Sequence, residues 1–228
     1  MELREALRTT GAIRDFTTDE VPLSVVYEIL DDARFAPSGG NRQAWHVIVV
    51  TDEGPRRALR DAYLDGWHDY VAHLLAGLIP FSPLASEADR ITASLQREAA
   101  IAISKPESFP ERLDQAPVLL VITADLAVLA AVDRDLDRYQ IAGGASIYPF
   151  AWQILLAARE RGLAGVMTTI ATRNEDQVCQ ALRIPPDHAV AAVMALGTPL
   201  QLHTKLKRRP VEEFATINSF DGPALRQS

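Results

Sequence analysis

A mixed α/β or α+β domain, with helices packed on a central sheet, is the fold class this sequence predicts. Short β-branched runs over 44–51, 117–123, 164–169 and 189–196 alternate with segments of helical spacing. Apolar residues make up 48% of the 228 and charged residues 23%, which supplies a substantial core. No repeat or low-complexity linker divides the chain, so 1–228 reads as a single domain.

Met1 to Thr9 reads as a short helix with Leu3 and Leu7 on one face, broken near Gly11. Thr17 to Val21 offers cap residues, and Pro22 suits a first turn, opening a helix from about Leu23 to Phe35. Val26, Ile29, Leu30 and Ala33 stand there at helical spacing. Ala44 to Thr51 is the first strand. Arg56 to about Leu78 is helical in pattern until Ile79-Pro80-Phe81-Ser82-Pro83 interrupts it. A second helix spans Ser86 to Ile103, and a loop from Lys105 to Pro110 leads toward the strand Pro117 to Thr123. The stretch around 64–115, rich in proline and aromatics, reads either as an insertion or lid or as ordinary helical packing. A long helix covers roughly Leu136 to Arg161 with Gly162 as its C-cap, and Pro149 inside it predicts a kink or local break. Ala164 to Thr169 is the third strand, Glu175 to Leu182 a helix, and Ala189 to Leu196 the fourth strand. From Thr198 onward the tail is polar and basic.

The net charge of −7 argues against a nucleic-acid partner, which requires a basic face. No run approaches the roughly 18 apolar residues of a membrane span, and no N-terminal segment resembles a signal peptide. The lone Cys179 has no internal disulfide partner, so the cytoplasm is the expected compartment. His68 and His73 are five positions apart, and neither a His-Glu-x-x-His motif nor a Cys/His cluster occurs, so no metal is expected. No Ser/His/Asp set is ordered for nucleophilic catalysis.

Three segments carry the candidate chemistry. Ala36-Pro37-Ser38-Gly39-Gly40-Asn41-Arg42-Gln43-Ala44-Trp45 is a turn of small residues bearing two amides, and it runs into a strand that would hold it rigidly. Arg8-Thr9-Thr10-Gly11-Ala12-Ile13-Arg14 places two arginines around a hydroxyl-bearing turn at a helix end, which suits a phosphate. The competing reading of Arg14 is a surface ion pair with Asp15 or Asp19. Lys205-Leu206-Lys207-Arg208-Arg209 is the densest basic cluster, read either as a solvated tail or as part of a pocket for one acidic ligand. The residues Gly143 to Trp152 read as core packing, as a subunit interface, or as both.

Taken together these motifs resemble the nitroreductase family of FMN-dependent oxidoreductases. The resemblance also covers Leu155 to Leu163, the strand after Gly165, Leu182 to His188, Gly197-Thr198-Pro199 and the Arg-Arg-Pro-x-Glu tail. It implies an α+β fold, a three-layer α/β/α sandwich with a mostly antiparallel sheet, and an intertwined homodimer. It further implies FMN as cofactor, NAD(P)H as electron donor, and ping-pong reduction of a nitroaromatic, quinone or related small-molecule acceptor. The chemistry resides on flavin N5, so no side chain is expected as a catalytic group.

By this likeness the cofactor-binding residues are Arg8, Thr10, Gly11, Ala12, Arg14, Pro37, Ser38, Gly39, Asn41 and Gln43, then Met167, Thr168, Thr169, Lys205 and Arg208. Trp67, Tyr70 and Phe109 are substrate-side candidates, with packing as their ordinary reading, and 64–115 becomes a helical insertion on that side. The chain departs from the family pattern at Ala12, where a serine is usual, and lacks one arginine of the N-terminal run. It has Gln43-Ala44-Trp45 where Gln-Pro-Trp is usual. The alternatives are an FMN-sequestering protein with little turnover and a cofactor-free structural dimer.

Overall fold

The computed structural model describes residues 1–227. A four-stranded sheet, with every neighbouring pair antiparallel, forms its centre in the order β1-β2-β4-β3. The strands are β1 (Trp45–Val49), β2 (Val118–Asp125), β3 (Ala164–Thr168) and β4 (His188–Gly197). β2 and β4 are the inner strands and are buried on both faces, as their unbroken apolar runs require. Their register shifts between Ile122 and Thr123. β1 and β3 are the two edges.

The period-two alternation of the strands sends side chains into two separate cores. Leu120, Ile122, Met194 and Leu196 pack with α2 (Leu23–Ala33) and α6 (Tyr148–Glu160). Leu119, Val121, Val193 and Ala195 point the other way, toward α3 (Glu53–Leu75) and α7 (Glu175–Leu182). The result is the α/β/α sandwich of an α+β fold. Trp45 stacks on Phe150 at 4.6 Å, fixing α6 to β1. Arg161, just past α6, ties it to α2 through Glu28 and Asp32.

The remaining helices are α1 (Leu3–Thr9), α4 (Glu87–Ser94) and α5 (Arg97–Ala102). α4 and α5 pack on α3. The continuous helix expected over Ser86 to Ile103 is therefore two, separated at Leu95 and Gln96. The first has a full capping box between Ser86 and Asp89. α3 stops three residues short of the sequence reading, because Gly77 takes a φ of 72° and the Leu78 amide turns back to the His73 carbonyl.

The largest correction concerns the long helix expected over Leu136 to Arg161. Only Tyr148–Glu160 is α-helical, and Pro149 sits in its first turn rather than inside it. A short 3-10 turn, Ala142–Ser146, precedes it. The stretch before that turn is held by Asp133, whose carboxylate accepts the Ile141 and Ala142 amides at 2.8 and 3.1 Å and pairs with Arg138.

Candidate functional site

α1 ends at Thr9, and the chain turns into an extended stretch. The Ile13 amide donates to the Gly165 carbonyl at 2.9 Å, at the start of β3. Gly165 has no room for a side chain, since a Cβ there would lie 2.3 Å from the Ala195 carbonyl oxygen. The stretch then pairs with the tail: Leu200 donates to Asp15 and Thr17 to Thr198. Gly11 packs against the same tail, where a Cβ would meet Leu206 at 2.8 Å. The segments 11–17 and 198–206 thus meet at one corner of the sheet. A cleft of about 450 Å3 lies between Ala12–Asp15 and Leu200–His203.

That corner is rich in unsatisfied donors. Thr10 is buried, and its Oγ1 has no hydrogen-bond partner. Arg14 does not form the surface ion pair that competed for it. Asp15 faces Arg112 at 3.6 Å, Asp19 accepts from the Thr17 hydroxyl at 2.8 Å, and among the described residues no carboxylate pairs with Arg14. Arg8, Ala12, Lys205 and Arg208 are exposed, and Arg208 donates to the Lys207 carbonyl. An orphan hydroxyl and free cations around a backbone turn suit an anionic ligand.

The end of β3 continues this wall. Met167 and Thr168 are half-buried and Thr169 is exposed. Beside them stands Tyr63 of α3, a residue the sequence reading passed over. Burial pushes its phenol above the ordinary range, and Thr168 and Arg14 act in the opposite direction. Tyr63, Trp67 and Tyr70 stack in sequence along α3, with centroid separations of 6.5 and 5.0 Å. Phe109 lies edge-on to Tyr63 in the core beneath. Beyond Thr169 opens a chamber of about 690 Å3, bounded by α3, α4 and the turn at Phe81.

The loop 36–43 lies elsewhere. Gly40, Asn41 and Gln43 all have left-handed φ values, of 61°, 53° and 51°. For Asn41 and Gln43 this conformation is costly, and the surroundings hold it in place. Ser38 Oγ accepts the Gln43 amide and the Gly39 amide donates to Ser146 Oγ, each at 3.0 Å. A Cβ at Gly39 would strike Ala130 at 2.7 Å. Pro37, Asn41 and Gln43 are exposed in the loop that enters the edge strand β1, beside a half-buried Ser38.

The structure therefore brings together Thr10 to Arg14, Tyr63, Met167 to Thr169 and the tail, and it keeps 37–43 apart from them. Gly165 is level with Leu196 and Val118, whereas Trp45 is level with Ala124. Three strand spacings and the length of β2 separate these diagonal corners, roughly 24 Å in all. Besides Tyr63, the sequence reading missed Gln201 and His203, which line the smaller cleft. Their signal was position alone, directly after Gly197-Thr198-Pro199.

Comparison with known proteins gives a consistent result. The family model for the nitroreductase family matches residues 7–198. An NADH dehydrogenase of Thermus thermophilus is 26% identical over 93% of this chain and 94% of its own. A nitrobenzene nitroreductase of Ectopseudomonas oleovorans is also 26% identical, over 93% of this chain and 95% of its own. Among solved structures, the NADPH:FMN oxidoreductase of Vibrio harveyi complexed with NAD+ superposes with a TM-score of 0.64. It covers 95% of this chain and 77% of that one at 20% identity.

Proposed function

The chain belongs to the nitroreductase family, and on that premise we propose that it is a homodimeric, FMN-dependent oxidoreductase. It reduces a small-molecule acceptor at the expense of NAD(P)H. The observation that carries this reading is the separation of the two ligand-binding segments. One copy cannot bring loop 37–43 to its own Arg14 corner across roughly 24 Å of sheet, whereas a second copy can supply it. The exposed apolar side chains agree: Phe214 and Phe220 in the tail and Tyr27 and Phe35 on and beside α2 are left to water in the single chain.

The residues present fit FMN. Arg208 and Lys205, with Arg8 nearby, would neutralise the phosphate through charge-assisted bonds. Thr10 Oγ1, orphaned in the free chain, would gain a partner, and the turn at Gly11 and Ala12 would add backbone donors. Pro37, Ser38, Gly39, Asn41 and Gln43 would come from the partner copy, its strained loop already shaped for a planar polar edge. Met167, Thr168 and Thr169 would lie along the ring system. FMN, when bound, would supply two-electron redox chemistry between NAD(P)H and the acceptor, in ping-pong order. The protein's part is to bind, orient and supply positive charge, with Arg14 and the partner's amides as the donors that favour an electron-rich ring. Trp67 and Tyr70, stacked toward the larger chamber, would meet the acceptor.

The test is a visible spectrum of the purified protein followed by anaerobic addition of NADH or NADPH. Yellow protein that bleaches is the expected result. Protein that refuses added FMN ends the reading, and bound flavin that is not reduced identifies a sequestering protein instead.

A further inference from the structure

The 690 Å3 chamber beyond Thr169 is lined by three charged side chains, Asp69, Arg90 and Arg173, together with His73. Asp69 is its one carboxylate, and it shares the Arg97 guanidinium with Asp65. The two arginines have no such partner. Arg90 gives one N–H to the Ala85 carbonyl at 2.9 Å, and Arg173 makes no hydrogen bond or ion pair among the described residues. The chamber therefore presents two exposed guanidinium groups, neither of which pairs with a carboxylate within 4 Å among the described residues, in a protein whose net charge is −7.

The site between them is built around Phe81. The Arg173 guanidinium lies over its ring at 5.2 Å, and His73 and Tyr70 approach the same ring at 5.2 and 6.3 Å. Phe81 also has a φ of 55°, a conformation that a bulky aromatic rarely adopts and that its neighbours must hold in place. His73 Nδ1 faces the Asp69 carbonyl at 2.8 Å, which orients the imidazole. An arginine already resting on an aromatic face needs little further ordering to grip a planar anion.

We propose that this chamber selects an aromatic electron acceptor bearing a compact anionic substituent, a carboxylate or sulfonate. The ring of the acceptor packs toward Phe81 and its anion pairs with Arg173 and Arg90. The proposal rests on the oxidoreductase reading above, in which Thr169 borders the flavin. For a nitro-substituted acceptor, two electrons from NAD(P)H and two protons convert the nitro group to nitroso with loss of one water.

The test compares 4-nitrobenzoate with its neutral twin, 4-nitrobenzamide, on the flavin-loaded protein. Wild type should prefer the anion at least tenfold in kcat/KM, and Arg90→Gln with Arg173→Gln should lower that ratio about tenfold. Calorimetry with benzoate and benzamide, neither of which is reduced, should give the same order of preference. Benzoate binding by wild type should also weaken as salt is raised. This wild-type arm decides the matter even where the double variant fails to fold. A wild-type preference below twofold overturns the proposal. So does a variant that leaves the ratio intact, or one that changes only the choice between NADPH and NADH, which would assign the arginines to the donor's phosphate. Protein that refuses added FMN but still prefers benzoate to benzamide overturns the flavoenzyme reading alone. Yellow, reducible protein that treats the two alike overturns the anion site alone.

Discussion

Arg14 stands next to an acid in the sequence yet pairs with none among the described residues, because Asp15 turns to Arg112 and Asp19 to Thr17. An unpaired guanidinium costs little in water and becomes valuable when an anion arrives. Arg14→Ala is therefore expected to weaken FMN binding by about 1–3 kcal/mol, the scale of a charged hydrogen bond. Fluorescence titration of apoprotein measures this, and unchanged affinity removes Arg14 from the site. The arginine and its motif were legible as sequence. Tyr63 was not, because one tyrosine in a helix that buries Leu59 and Ala62 is indistinguishable from core until Arg14 and Thr168 are seen beside it.

At the scale of elements, Asp133 decides what periodicity could not. Residues 141–147 have small and apolar side chains and no proline, compatible with continuing a helix, but the carboxylate of Asp133 takes the Ile141 and Ala142 amides that such a helix would need. Those bonds, the Ile141 amide first, hold its carboxyl below the ordinary carboxylate range. A depressed folded-state pKa stabilises the protein above the unfolded value and ceases to do so as pH falls through the folded one. Asp133→Asn should accordingly lower the Tm at pH 7 by about 2–4 °C. That difference should shrink as the pH is taken below about 4. Thermal melts of both proteins from pH 7 to pH 3 test it, and a constant difference refutes it. Pro149 was misplaced for a related reason: a proline serves equally well in a helix's first turn or at a kink, and the sequence does not say which.

At the scale of the whole molecule, the diagonal separation of the two segments proposed to bind FMN across a dimer makes a genetic prediction. Arg14→Ala and Asn41→Ala homodimers should each bind FMN weakly. A mixed dimer should place both lesions in one site and leave the other intact, restoring tight binding to half the subunits. Co-expression with two affinity tags and flavin quantitation read this directly; a mixed dimer as weak as its parents would mean that one copy builds its own pocket. The sequence by itself determined the four strands, most of the helices and the motifs of the family, since all of these are written in local spacing and residue type. Which strand neighbours which, and therefore that loop 37–43 and Arg14 lie at opposite corners, was decided only by tertiary structure. Strand order follows from how two apolar faces are covered at once, a collective condition that no local stretch of residues carries.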